Sequence, residues 1–307
     1  MRVKNSLINE ISEMFGSGIM LKQNNYTCLS FRFETVCGAV LPPYLGSALR
    51  GALGGQLLLK HCKNRDRNCM TCEYAPTCTF VKFFNRLALS SKKRYALPNP
   101  YVVYHQQPAR KQYPAGGELL FEVKLFGGSS IYADEVIEAL ERGCANGLGT
   151  NRSPFSLTDV KKTHGKIMPE MCFGDETTVK LRFDTPLRIK TFAKGIIWAL
   201  DFPLLITNIL RRIDGLNVAE METSSRDVFS NIAGEIQTKY HSLRKLHLER
   251  YSNHTGGRKS MSGLVGDITF TGERLSTFIN LLHAGECLHV GRGCSMGLGH
   301  YRIIEWQ

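Results

Sequence analysis

The segment YTCLSFRFETV (26–36) alternates apolar and polar positions and is rich in aromatic and β-branched side chains, the period-two pattern of a strand with one buried face. Residues 41–59 shift to helical spacing, with the helix start marked by Pro42-Pro43. NPYVVY (99–104) is strand-like, and ELLFEVKLF (118–126) is a second clear strand. Residues 133–142 put Val136, Ile137 and Leu140 on one helical face, and Gly143 stands where a C-terminal glycine stop belongs. Residues 155–160 close this half as a strand. The second half repeats the order. TVKLRFDTPLRI (178–189) alternates as a strand, and Asp201 caps a helix whose stripe is Phe202, Leu205, Ile206, Ile209, Leu210 and Ile213. GLVGDITF (263–270) is a strand, Leu275, Phe278, Ile279 and Leu282 form a helical face, and residues 300–304 close the half. Each half reads β-α-β-β-α-β, its third element the faintest, which is the order of the ferredoxin-like fold.

The expected architecture is therefore α+β, with two tandem ferredoxin-like (RRM-like) domains over 1–162 and 177–307, joined near 163–176. A cysteine-rich knuckle, about 61–80, is inserted in the first. Segment 217–260 is too long for a plain connection and is expected to carry an extra helix over 228–241 plus a basic loop. The N-terminus reads as a short amphipathic helix with Leu7, Ile8, Ile11 and Phe15 on one face, and it lacks a signal-peptide apolar run. With 43% apolar residues and no apolar run of membrane-spanning length, the expectation is a globular cytoplasmic protein with no membrane partner.

A repeat stands out from this pattern. RGCANGLG (142–149) returns as RGCSMGLG (292–299), identical at six of eight positions, every glycine included. A dinucleotide fingerprint does not fit, because each copy follows the second helix of its half, and a Walker loop would need Gly-Lys-Ser/Thr. Such glycines permit backbone amides to approach phosphate or sugar, or else make a tight turn that needs positive φ.

Charge narrows the choice. The 39 basic against 27 acidic residues give +12, spread along the chain in pairs such as Arg211-Arg212 and Arg258-Lys259. A basic folded surface suits a polyanion, and nucleic acid is the commonest one.

Ten cysteines without a secretion signal argue for reduced thiols. Four of them, Cys62, Cys69, Cys72 and Cys78, follow C-x6-C-x2-C-x5-C in a polar, turn-forming stretch. Four thiolates at this spacing can surround one tetrahedral zinc in a closed, structural site. An iron–sulfur cluster or free thiols are the alternatives.

In order along the chain, LPPYLGSALRGALG (41–54), the cysteine cluster, NPYVVY, GGELLFEVKLFGG (116–128), FDTPLRIK (183–190), GLVGDITFTG (263–272) and HVGRGCSMGLGHYRI (289–303) resemble a CRISPR-associated endoribonuclease of the RAMP superfamily that processes precursor CRISPR RNA. The resemblance implies two ferredoxin-like domains, a C-terminal glycine-rich loop that meets RNA, and cleavage of repeat RNA without a catalytic metal. In that chemistry a 2′-hydroxyl attacks the adjacent phosphate, leaving a 2′,3′-cyclic phosphate and a 5′-hydroxyl. A base, an acid and cations must assist. His61, just beyond the first helix, and His289, at the mouth of the second glycine loop, are the catalytic candidates. His105, His254, Tyr44 and Arg50 are weaker ones. Gly291, Arg292, Gly293, Gly297 and Gly299, with Arg258 and Lys259, are the expected RNA contacts, and 143–149 is expected to be a structural relic of the same turn. The implied partner is CRISPR repeat RNA, with effector-complex subunits also open and a monomer or homodimer undecided. The alternative function is a non-catalytic RAMP subunit that holds guide RNA.

Overall fold

The computed structural model describes residues 19–64, 66–89, 97–106, 111–169, 175–191, 195–221, 223–252 and 256–307. The expected N-terminal helix and His254 lie outside these residues. Chain contacts divide the protein into two compact units. One comprises Asn25–Gly165 with Gly293–Gly297; the other comprises 19–24, Lys166–Arg292 and Leu298–Gln307. Five residues of the second glycine segment thus pack as part of the first unit.

The first unit contains β1 (Asn25–Thr35), α1 (Gly46–His61), the short α2 (Thr79–Phe84), β2 (Tyr101–Tyr104), β3 (Glu118–Phe126), α3 (Ala133–Ala145) and β4 (Phe155–Lys166). The sheet order is β2-β3-β1-β4, the antiparallel arrangement of a ferredoxin-like unit. The alternation read from sequence is what this register uses: Phe31 faces Phe121 across β1 and β3, with stacked rings 5.0 Å apart. Leu29, Phe31 and Phe33 bury one face against Leu49, Leu53 and Leu57 of α1 and Val136 and Leu140 of α3.

Helix α1 starts later than the apolar spacing suggests. Residues 39–40 are drawn into a short pairing with 112–113, and Leu41 N–H donates to the Lys111 carbonyl at 3.0 Å. Pro42 and Pro43 disfavour helical geometry at the residues before them, so the helix begins at Gly46. At the other end, Gly143 does not stop α3, which continues to Ala145. Its glycine serves packing instead: a Cβ there would lie 2.9 Å from Ala52 Cβ on α1. Strand β4 runs past the expected 160 to Lys166 as a mostly exposed edge strand, where no buried face leaves an alternating signature.

The second unit contains β5 (Thr178–Leu187), α4 (Phe202–Gly215), α5 (Thr223–Glu235), β6 (Gln237–His241), β7 (Gly263–Thr271), α6 (Ile279–Leu288) and β8 (Tyr301–Trp306), in sheet order β6-β7-β5-β8. Asp201 caps α4 as expected, its Oδ1 accepting from Leu204 N–H at 2.8 Å. Phe202 packs its ring on Phe270 and Phe278, at 5.1 and 5.0 Å. Segment 217–260 differs from expectation. Its helix covers Thr223–Glu235, and residues 237–241 instead pair antiparallel with β7 through a bulge between Thr238 and Tyr240. The open edge of β7 supplies a pairing partner that outweighs local helical spacing. A hairpin of Glu249–Ser252 with Gly257–Ser260 follows. No helix among the described residues is long and apolar enough to cross a membrane.

Candidate functional site

The C-terminal glycine segment begins where α6 ends. His289 caps that helix with φ +59°, and Val290 and Gly299 close the loop root, Val290 N–H donating to the Gly299 carbonyl at 2.9 Å. Gly291, Gly293, Gly297 and Gly299 all have positive φ, between 70° and 86°. A Cβ on Gly291 would lie 2.5 Å from the Arg188 carbonyl oxygen, and one on Gly299 1.8 Å from that of Val290. Many of the loop's amides are already engaged. Those of Val290, Arg292, Met296, Gly297 and Gly299 donate to backbone carbonyls at 2.7–3.1 Å. Of the two roles open to these glycines, the turn with positive φ is the one seen: they let backbone approach backbone, and Arg292 is the exposed cationic side chain on the segment.

In the first unit, residues 293–297 are clasped by side chains the sequence reading mostly passed over. Tyr44 donates its hydroxyl to the Met296 carbonyl at 2.7 Å, and Asn99 Nδ2 donates to Ser295 Oγ at 3.2 Å. A Cβ on Gly46 would lie 1.9 Å from the Met296 carbonyl oxygen, so only glycine admits this approach at the start of α1. Burial, with Cys294 and Tyr104 nearby, pushes the Tyr44 phenol well above its usual range. Burial also pushes the Tyr101 phenol up to about 12, while Arg50 and Ser295 pull it the other way. Arg50 stacks over the Phe84 ring, 4.8 Å from its centroid. Tyr44 therefore acts here as a support for residues 293–297, and Arg50 packs on Phe84 and meets Tyr101.

The two catalytic candidates differ sharply. His61 is the last residue of α1, its side chain 26% exposed, and its Nε2 contacts Glu135 Oε1 on α3. Lys60 beside it bonds Glu138 Oε2 at 2.5 Å. A carboxylate on Nε2 fixes that nitrogen's proton, which leaves the lone pair on Nδ1. Glu135 carried no sequence signal, since α1 and α3 must pack before the pair exists. His289 stands at the start of the loop but is buried. It is 1% exposed, its Nδ1 lies 3.3 Å from the Leu298 carbonyl oxygen, and its ring is 4.9 Å from that of His300. As the C-cap of α6, His289 carries a positive φ, and its side chain is buried. His300 in turn faces Asp184 at 3.4 Å, and Arg302 holds the same carboxylate at 2.7 and 3.1 Å. Burial works to raise the Asp184 carboxyl, but hydrogen bonds and charge from His300 and Arg302 outweigh it and hold it at about 2. His105 follows β2 half-buried, and burial lowers its imidazole against an opposing backbone hydrogen bond.

Arg258 and Lys259 lie on the second-unit hairpin, opposite Tyr251 and Arg250 respectively. In the cysteine insertion, Cys62, Cys69, Cys72 and Cys78 are all half-buried. Turns bring them near one another: Ala75 N–H donates to the Cys72 carbonyl at 3.1 Å and Cys78 N–H to the Tyr74 carbonyl at 3.0 Å. Burial pushes the Cys69 thiol up against a hydrogen bond from Asn85, and Cys78, Cys62 and Cys72 raise it further. Among the described residues, no three His, Cys, Asp or Glu side chains are arranged as a metal-ligand set.

Two ferredoxin-like sheets in tandem, each with a glycine turn ahead of its closing strand, define a RAMP-like architecture. Residues 21–182, over half of the chain, match the N-terminal domain family AF_1859_N, and residues 181–301 match the family described as CRISPR-associated endoribonuclease Cas6. The chain thus belongs to the family defined by the AF_1859_N domain, and its C-terminal part is similar to the CRISPR-associated endoribonuclease Cas6. An uncharacterised protein of Archaeoglobus fulgidus is 24% identical over 285 residues, 86% of this chain and 92% of that protein. Among solved structures, the Cas6 (TTHB231) product complex superposes with a TM-score of 0.61 at 14% identity, over 92% of this chain and 100% of that one. Thermus thermophilus Cas6 (TTHB231) gives a TM-score of 0.55 at 12% identity, over 91% and 98%. The partial Cas6-RT-Cas1–Cas2 complex gives 0.57 at 11% identity, over 94% of this chain and 47% of that longer one. These likenesses establish the shared fold.

Proposed function

We propose that this chain cuts precursor CRISPR transcripts within their repeats by attack of a 2′-hydroxyl on the adjacent phosphate, leaving a 2′,3′-cyclic phosphate and a 5′-hydroxyl. The observation that carries the reading is His61, oriented by Glu135 at the end of α1 in a chain whose C-terminal part matches the Cas6 family. With Nε2 on the carboxylate, Nδ1 is free to take the 2′-hydroxyl proton, and Glu135 balances the imidazolium that forms. Basic side chains of the second unit would neutralise the phosphate backbone. That two Cas6 proteins of this fold were solved as product complexes supports the reading.

The test is cleavage of cognate repeat RNA in excess EDTA, with analysis of product ends. Cyclic-phosphate ends are expected, and His61→Ala should slow cleavage by about 10² or more without comparable loss of binding. Wild-type cleavage by that variant removes His61 from the chemistry. Intact RNA bound tightly across several repeats and pH values points to a subunit that holds guide RNA instead.

A structural zinc on the cysteine insertion is part of the same reading, supported by the spacing and by the turns that gather the four thiols. Elemental analysis should find about one zinc per chain, lost in Cys69→Ser with Cys72→Ser. A folded, metal-free wild type overturns it.

A further inference from the structure

Beside the engaged amides of Val290, Arg292, Met296, Gly297 and Gly299, the loop root is lined with guanidinium. Arg188, directly after β5, runs beside Gly291 in a parallel bridge, and its carbonyl accepts from Arg292 N–H at 2.8 Å. Arg188 Nε donates to the Ser262 carbonyl at 3.0 Å. Ser262 also ties the root of the hairpin, its Oγ accepting from Leu248 N–H at 3.1 Å. Two residues on, the hairpin carries Arg250 opposite Lys259. Three chain segments thus deliver arginine to one place. Burial, then the charges of Arg292 and Arg250, push the Arg188 guanidinium below its usual value, as expected where like charges crowd. The hairpin's one acid, Glu249, lies 3.5 Å from Arg258 on the other face, and no carboxylate among the described residues pairs with Arg188 or Arg292.

We infer that Arg188, Arg250 and Arg292 form one oxyanion site that holds a phosphodiester of a nucleic-acid strand, an inference that rests on the RNA reading above. Guanidinium forks match phosphate oxygens in pairs, and a bound phosphate relieves the repulsion that assembling three cations costs. The hairpin's other face carries Tyr251, 64% exposed, opposite Arg258. An aromatic plane with a cation alongside suits a chain of nucleotides and has no use for a free phosphate. Arg188 and Arg250 belong to this site only through the fold, since neither lies on the glycine segment.

The experiment is the salt dependence of binding to a labelled oligouridylate, by fluorescence anisotropy. Arg250→Gln with Arg292→Gln should weaken binding about ten-fold or more and lower the log–log salt slope by about 1.4, two contacts at about 0.7 each on a single strand. Arg142→Gln, on the other glycine segment, should keep the wild-type slope. Arg188→Lys, which keeps the charge and the packing but loses the fork, should weaken binding with little change of slope. The inference is overturned if the double variant keeps the slope of Arg142→Gln, or if the wild type does not bind oligouridylate. Thermal stabilisation by inorganic phosphate that the double variant loses, without any change in the oligouridylate slope, would also overturn it in favour of a free-phosphate site. A protein that never cuts repeat RNA yet shows the slope change sinks only the nuclease reading.

Discussion

Residues 142–149 and 292–299 spell nearly the same octapeptide, yet they share a backbone only at their ends. Gly147 and Gly149 hold φ of +101° and +78°, and their counterparts Gly297 and Gly299 hold +81° and +70°. In both copies the last glycine presses against a carbonyl, Val40 at 2.4 Å and Val290 at 1.8 Å from where a Cβ would stand. At their beginnings they diverge. Arg142, Gly143 and Cys144 are helical, inside α3, whereas Gly293 is left-handed and starts a 3₁₀ turn after a helix that ended at Leu288. The charges diverge as well: Arg142 reaches Glu138 one turn back on its own helix at 2.8 Å, while Arg292 lies with Arg188 and Arg250. A repeated sequence preserved a turn, and its surroundings decided whether the arginine met a carboxylate or other cations.

The shared part of the comparison breaks most visibly at the last glycine. Gly299→Ala and Gly149→Ala should each cost about 3 kcal/mol or more, combining positive φ with overpacking against a carbonyl. Equilibrium chemical denaturation measures this, and a wild-type midpoint for either variant would show that the turn tolerates a side chain after all.

A smaller effect sharpens the difference. Asp184, beside the root of the second loop, has its carboxyl moved from 3.8 to about 2 in the folded protein. A carboxyl depressed on folding stabilises above its unfolded value, and that stability is lost as pH falls through the folded one. Between about pH 4 and pH 2 the protein should therefore lose no more than about 2 kcal/mol through this group, less to the extent that solvent screens it. Asp184→Asn should flatten that part of the stability curve. An unchanged acid limb would remove the His300–Asp184–Arg302 network from the account.

Much of the fold was legible in sequence because burial leaves periodicity. Strands β1, β3, β5 and β7 alternate, and the α4 stripe with its Asp201 cap was readable residue by residue. What failed did so where pairing overrode local preference. Residues 237–241 joined β7 instead of extending a helix, and β4 ran on as an exposed edge with no buried face to mark it. The candidate site was less legible. His61 stood out by position, but Glu135 reaches it across 74 residues, and Arg188 joins Arg250 and Arg292 from three separate segments. His289 is buried with a φ of +59°, a placement that its neighbours in the sequence do not announce.

By itself the sequence determined the two β-α-β-β-α-β halves and the basic balance, since these depend on each residue's own chemistry and on near neighbours. Only the tertiary structure decided which histidine meets a carboxylate, which glycine amides are spent, and which arginines converge. Those are relations between segments far apart in the chain, and they come into being when the sheets close and the helices pack.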